Sequence, residues 1–544
     1  MSNNLRKRFG EYLNSKNLIT DSKIEEALAY QKENPKLKIG EILYKLGFLD
    51  QEQVLRQLSE FLSIKYIILD GVIMPEELSQ LFSFDFMTNN NFAPFELSNG
   101  VLKIAIDDIN NFELKASIDS IASKKHISTE YFISFISQIK KYLDNNFIEK
   151  VSFDKDIPQL VDFIIEEGIK RNSSDIHIEP VTKNRIRIRY RIDGQMVLSK
   201  IGIPKEEYEE VVSRIKILAN LNTTEKRRPQ DGHISDFKCK DGNLFDIRVS
   251  IVSIAHGEKV VLRLLNKNEQ VKELEELGFN EYQVSMIKNI IKHKNGIIFV
   301  TGATGMGKST TLYTTLHILN RIFSNVITLE NPIERTIEGL NQVNINEAIG
   351  ITFSSTLRTV LRQDPDVIMV GEIRDKETLS IALEASMTGH VVLTTLHTNS
   401  AVQTIDRVNS MGIDMYNFAA SLLLIASQKL IKKLCTSCRI EYSPNSEDLA
   451  YISSVIKEPI DKNIKIYKSC GCSKCNNGYL GREVICELFE KDEAIEKLLI
   501  NKASSAEVQA HLDSTGFKSI KYHALQKVLK GITSLDEVKS IFAE

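Results

Sequence analysis

A short unbroken apolar run, Ile297–Val300, leads directly into Thr301, Gly302, Ala303, Thr304, Gly305, Met306, Gly307, Lys308, Ser309 and Thr310. No other stretch of the 544 residues limits the possible folds so strongly. Four apolar residues so placed read as a strand buried on both faces. The continuation fits GxxxxGK[ST] opening a helix, so strand, loop and helix stand in the order a phosphate-binding loop requires. Its glycines let the backbone curl until successive N–H groups and the helix N-terminus face phosphate oxygens. Lys308 offers a cation to the β- and γ-phosphates and Ser309 a hydroxyl to Mg²⁺. A fortuitous Gly-rich turn is the competing reading, and the flanking strand and helix weigh against it. The expectation is an ATP site, with residues 302–310 as its lining.

Further short apolar runs carry polar residues at their ends. Val367–Val370 runs into Gly371-Glu372, and an acid at the end of a parallel strand beside the loop is placed to handle Mg²⁺ or the attacking water. The more usual Asp-Glu ending is Gly-Glu here, so Glu372 is the catalytic candidate; an ion pair with Arg374 is the bland alternative. Val326–Leu329 leads to Glu330 and Glu334, and Val391–Leu396 is bracketed by His390 and His397. In an open parallel sheet the carboxyl ends of strands converge on the ligand. Glu330, Glu334, His390 and His397 are therefore expected around the γ-phosphate, each histidine being equally readable as a structural residue.

The remaining chain divides by pattern. Residues 8–31 and 38–61 repeat each other at a spacing of thirty, Gly10 matching Gly40, Leu13 matching Leu43, and Thr20 and Asp50 standing where helix N-caps belong. Two packed helical hairpins explain the apolar positions but not the company of Arg8, Gly10 and Gln31. Residues 64–146 read as a small α/β unit with strands at Tyr66–Leu69 and Val101–Ile106, closing an N-terminal domain 1–146; polar residues 147–156 read as a linker. A middle domain, 157–270, opens on an amphipathic helix (Leu160, Ile164, Ile165, Ile169) and continues in strands 186–192, 245–251 and 260–265. Residues 271–544 alternate helices with buried strands, the pattern of a parallel sheet.

Five of seven cysteines fall between Cys435 and Cys475. Cys435-x-x-Cys438 and Cys472-x-x-Cys475 supply four thiolates, the set for a closed tetrahedral Zn²⁺ site; a redox switch is the alternative. Cys470 is an ambiguous spare, and Cys239 and Cys486 read as core residues. Clustered rather than dispersed cysteines indicate a metal in a reducing compartment. The first residues carry no apolar stretch of a signal peptide, and no run of ~18 apolar residues would span a membrane. With 69 Lys+Arg against 72 Asp+Glu, the near-neutral charge disfavours a nucleic-acid translocase.

Taken together, these blocks resemble the secretion ATPases that power type IV pilus assembly and type II secretion (the PilB/GspE family). The likeness also rests on Ser174–Pro180, Arg187–Gly194, Arg228–Gly232, Gly257–Arg263 and Arg362–Asp375, and spans essentially the whole chain. It implies a RecA-like P-loop core behind a PAS-like α+β domain and a helical and α/β N-terminal domain. It further implies a homo-hexamer, cytoplasmic and held at the inner face of the cytoplasmic membrane by a platform protein, with no nucleic acid as partner. Arginines of the middle domain would act as fingers on the phosphates, with Arg191, Arg228 and Arg248 as candidates; surface ion pairs are the rival reading. The zinc-binding insertion, 435–475, matches assembly and secretion members and is missing from retraction ATPases. Asn331 stands where the family usually has Asp, leaving Glu330 and Glu334 as the acids of that segment. The doubled N-terminal unit resembles cyclic di-GMP-binding MshE-type domains through Arg8, Gly10 and Gln31. Its second copy, with Lys38 and Gly40, departs at Lys38 and Phe61, since lysine lacks arginine's bidentate fork; docking on a membrane platform is the alternative use. A nucleotide-sensing regulator without turnover is the rival of a different class, opposed by the Lys308–Glu372 pair.

Overall fold

Helical hairpins begin the chain. The computed structural model describes all residues except 1, 34–36, 73, 76–77, 79–80, 83, 147–155, 183–184, 200, 268–269, 321–323, 462–463, 473 and 544, and within helices the side chains of 2–8, 33, 84–85 and 144–146 lie outside it too. The expected linker therefore falls, apart from Asp156, outside the described residues. Helices Ser2–Ser15 and Asp21–Glu33 form the first hairpin, Ile39–Lys45 and Gln51–Leu62 the second. Asp50 caps the last of these, its carboxylate accepting from the Gln53 amide at 2.7 Å while Gln53 reaches back to its backbone. Phe9, Leu13 and Ile19 share one core with Ile39, Leu43 and Leu49, their partners at the thirty-residue spacing. The duplication is thus a packing unit repeated.

The chain divides into two compact units, residues 1–239 with 246–264, and residues 240–245 with 265–544. Beyond the hairpins, the first unit has a three-stranded sheet of β1 (Phe92–Ser98), β2 (Val101–Ile106) and β3 (Ser128–Ile133) in that order. The strand expected at Tyr66–Leu69 is not one: Tyr66 makes a single bridge to Ile133. Leu69 N–H instead donates to the Gln138 side chain at 3.3 Å, which ends the ladder. Apart from Leu244, Phe245, Leu265 and Asn266, the same unit holds a six-stranded sheet of β4 (Asp175–Pro180), β5 (Ile186–Ile192), β6 (Gln195–Leu198), β7 (Gln230–Lys238), β8 (Leu244–Ile254) and β9 (Gly257–Asn266), in spatial order β6-β5-β4-β9-β8-β7. On β5 the buried Ile186, Ile188 and Tyr190 alternate with the more exposed Arg187, Arg189 and Arg191, the period-two pattern of a half-buried strand. Helix Ile157–Lys170 buries Leu160, Ile164 and Ile165, and Asp156 caps it by accepting from Gln159 N–H at 3.0 Å.

In the second unit, β10 (Gly296–Thr301), β11 (Val326–Glu330), β12 (Asn341–Asn344), β13 (Val367–Val370), β14 (Val391–Leu396), β15 (Leu422–Leu434), β16 (Ile440–Tyr442), β17 (Ile466–Lys468) and β18 (Tyr479–Glu490) follow in chain order. Seven of them form one sheet ordered β12-β11-β13-β14-β10-β15-β18. All its pairings are parallel except β15 with β18. Every residue of β10 is buried, as expected of a strand covered by helices on both faces. Ile297, Phe299 and Leu329 contribute about 2 kcal/mol each by leaving water. After β10 the chain crosses to β11, β12 and β13, returns through β14 and then passes over β10 to β15. That reversal makes the carboxyl end of β10 a topological switch point, where such sheets open a crevice for ligand.

Candidate nucleotide site and cysteine knuckle

At that end of β10 the loop curls as its glycines allow. Gly302, Gly305 and Gly307 have φ of +145°, +79° and +79°, values that side chains other than glycine rarely adopt. Gly302 is doubly constrained, because a Cβ there would lie 2.5 Å from the Gln428 carbonyl oxygen. Ala303, Thr304 and Gly305 form the exposed tip, with Met306 and Ser309 half-buried, Thr310 exposed, and Lys308 buried at the start of helix Lys308–Leu319. Lys308 Nζ donates to the carbonyls of Gly302 at 2.8 Å and Ala303 at 3.0 Å. Burial lowers its pKa, against the pull of Glu372 and Glu334.

Three more strand ends meet this loop. Glu372, just past β13, accepts from Arg374 at 2.7 Å and lies 3.7 Å from His397 Nε2. The segment is pinned by Thr395, whose hydroxyl donates to Gly371 O at 2.7 Å. His397 has its pKa lowered by burial and by Lys308, with Glu372 opposing. Lys308, Glu372, Glu334 and His397 thus share one electrostatic neighbourhood. Glu330, at the end of β11, is different in kind. It is buried and accepts from Tyr313, from Thr328 at 2.6 Å and from Gln342 at 2.9 Å. Its carboxylate braces the loop helix, through Tyr313, against β11. Glu334 is exposed.

His390 is not brought to the site. It precedes β14, and its carbonyl accepts from Gly296 N–H, the first residue of β10, at 3.1 Å. Six residues of parallel strand, ~20 Å, separate that edge from the loop. The expectation failed because two histidines flanking one strand lie at its opposite ends. His390 Nδ1 instead faces Ala385 O at 2.9 Å. Of the arginine candidates, Arg191 lies 3.6 Å from Asp175 and donates to Gly194 O at 3.0 Å. Arg228 is exposed and Arg248 half-buried; all three belong to the first unit. No sequence motif marks Gln428, which holds the loop from strand β15, or Tyr313, which ties the loop helix itself to Glu330 on β11.

The four cysteines of the paired knuckles converge. Sγ atoms of Cys435 and Cys472 are 3.9 Å apart, Cys438 and Cys475 3.7 Å, and Cys472 and Cys475 3.6 Å. Tetrahedral thiolates at ~2.3 Å from zinc would stand ~3.8 Å apart, so the set fits. Backbone N–H of Ser437 brings the Cys435 thiol down to about 7, favouring the thiolate a metal needs, while burial pushes Cys438 up to about 12. Cys470 is exposed and outside the four, whereas Cys239 and Cys486 are buried.

In the N-terminal hairpins the described candidate residues each meet a neighbour within the fold. A Cβ on Gly10 would stand 3.0 Å from Ile24, and one on Gly40 3.1 Å from Val54. Gln31 is buried and donates to Leu37 O at 2.7 Å, and Lys38 pairs with Asp108 at 2.8 Å. Phe61 packs on Phe9 and Tyr12 with ring centroids 5.4 and 5.2 Å apart. The Arg8 side chain lies outside the described residues.

A parallel sheet with a phosphate loop at its switch point and an acid on a nearby strand end defines a RecA-like P-loop ATPase. The family model "Type II/IV secretion system protein" matches residues 151–540, and the chain belongs to that family. It is 34% identical to the type IV pilus assembly ATPase PilB of Myxococcus xanthus, over 98% of both chains. It is 42% identical to the type II secretion system ATPase E of Vibrio cholerae, over 75% of this chain and 80% of that one. A solved structure of the Legionella pneumophila ATPase DotB matches with TM-score 0.55 and 24% identity, over 74% of this chain and 99% of that one, supporting the fold. The MshEN model matches residues 62–152, downstream of the duplicated hairpins. No helix among the described residues is long and apolar enough to cross a membrane.

Proposed function

We propose that this chain is a hexameric, Mg²⁺-dependent ATPase motor that drives type IV pilus assembly from the inner face of the cytoplasmic membrane. The observation that carries the motor reading is the meeting of Lys308, Glu372, Glu334 and His397 at the carboxyl ends of parallel strands. The loop amides and Lys308 bind the phosphates, and Glu372 orients the attacking water and takes up its proton. Ser309 would hold Mg²⁺, which when bound neutralises charge on the β- and γ-phosphates. Glu330 acts by bracing the loop helix. Arg191, Arg228 and Arg248 are the middle-domain groups available to neutralise charge on the transferred phosphoryl. Cys435, Cys438, Cys472 and Cys475 would hold Zn²⁺ as a structural staple. Residues 1–146 form the regulatory or adaptor end, with cyclic di-GMP or a platform protein as its partner. The pilus assignment is supported by the full-length likeness to a pilus assembly ATPase.

Type II secretion is the second reading, favoured by the 42% identity to a secretion ATPase over the shorter span. Purified full-length chain should hydrolyse ATP with Mg²⁺ and elute as six subunits. Deleting it from its host separates the two readings: lost surface pili with retained protein secretion supports the first, and the reverse outcome the second.

A further inference from the structure

Strand β15 lies beside β10 in parallel register, with Thr301 opposite Ser427. Gln428 is therefore one step beyond the last residue of β10, level with the start of the phosphate loop. It is fully buried, and both ends of its amide are used. Nε2 donates to the Met306 carbonyl at 2.7 Å, and Oε1 accepts from the Thr311 hydroxyl at 2.8 Å. Its own carbonyl oxygen is the atom that leaves room only for glycine at 302. One side chain and its backbone thus touch the loop at its beginning, near its end and on the helix behind it.

We propose that Gln428 is a positioning residue for nucleotide binding, setting the direction of the loop's amides without touching the ligand. A trans peptide is planar, so the Met306 C=O and the Gly307 N–H point in opposite directions. Holding that carbonyl inward on Gln428 turns the Gly307 N–H outward, where a phosphate oxygen is bound. Lys308 does the same for the first peptides by holding the carbonyls of Gly302 and Ala303. Thr311 fixes Gln428 in turn: without the hydroxyl, the buried amide oxygen loses its partner. The amide is thereby oriented by the helix that the loop begins.

The inference rests on the loop being the nucleotide site, and its test separates the two. Full-length Gln428→Glu keeps an oxygen for Thr311 but sets a second against Met306 O. Binding of a fluorescent ADP analogue should weaken about tenfold, the loss of one buried hydrogen bond, with KM rising more than kcat falls. Thr311→Val, which preserves shape, should weaken it about threefold. Thermal melting without nucleotide confirms folding, and Thr311→Val serves if Gln428→Glu does not fold. Wild-type affinity in a folded variant overturns the proposal; absence of binding in the wild type overturns the nucleotide reading instead.

Discussion

Glycine marks both the phosphate loop and the duplicated hairpins, for unlike reasons. In the loop, Gly302, Gly305 and Gly307 have positive φ, so the backbone itself requires them. In the hairpins, Gly10 and Gly40 sit in ordinary helices, where what matters is the neighbour: Ile24 at 3.0 Å and Val54 at 3.1 Å from the missing Cβ. The first pattern shapes a surface for a ligand; the second lets two helices close on each other. Similar short motifs can therefore carry a site in one region and a packing contact in another. What stands opposite the absent side chain tells them apart.

Changing the loop's charges should give the largest effects. Lys308→Ala should reduce ATP turnover on the order of 10³-fold, since it removes a charge preorganised for the phosphates. Glu372→Gln should cost about 10²-fold in kcat, the scale of a lost general base, with nucleotide affinity largely kept. Both should melt like the wild type; full turnover in either variant would remove the loop from its side of the contrast. Gly40→Ala is the opposite case. It should destabilise the chain by about 2 kcal/mol through overpacking against Val54, leave ATP turnover unaltered once folded, and be checked by denaturant melts. An unchanged melt with altered ligand binding would mean that Gly40 resembles the loop glycines after all.

Much of the second unit was legible because local signals agreed with one another. Buried runs, a glycine loop and cysteine pairs each state a local requirement, and β10, β13, β14 and the four-cysteine cluster all lie where such requirements put them. The contacts that no local signal announces depend on register between distant strands. Gln428 reaches the loop only because β15 pairs with β10, and nothing near it in sequence announces the contact. Glu330 reads as one more acid at a strand end, yet Tyr313 from the loop helix and Gln342 from β12 converge on it beside Thr328 of its own strand. His390 departs from its expectation for a simpler reason: strand direction decides which flank faces the ligand.

The smallest effect belongs to Lys38, the hairpin residue most like a ligand contact. Its pair with Asp108 is about two-fifths exposed, so Lys38→Ala should cost at most ~1 kcal/mol at pH 7.5. The pH dependence has two parts. Burial raises Asp107 to about 6, with Lys38 opposing that rise. Between pH 7.5 and 5 Asp107 takes up its proton, so its attraction to Lys38 vanishes and wild type and variant should draw closer in stability. Asp108 behaves oppositely: burial would raise its pKa, but the Lys38 hydrogen bond, that of Asn110 and the Lys38 charge together hold it below 3.8. That share of the stabilisation is present above the ordinary carboxylate range and is lost only as the pH falls through the depressed value. Thermal melts of both proteins at pH 7.5, 6 and 5 should show a narrowing gap that does not close. A gap constant across that range would mean that Lys38 does not act on Asp107. Equal melts at every pH, with weaker cyclic di-GMP binding in the variant, would make Lys38 a ligand contact and bring the hairpins closer in kind to the phosphate loop.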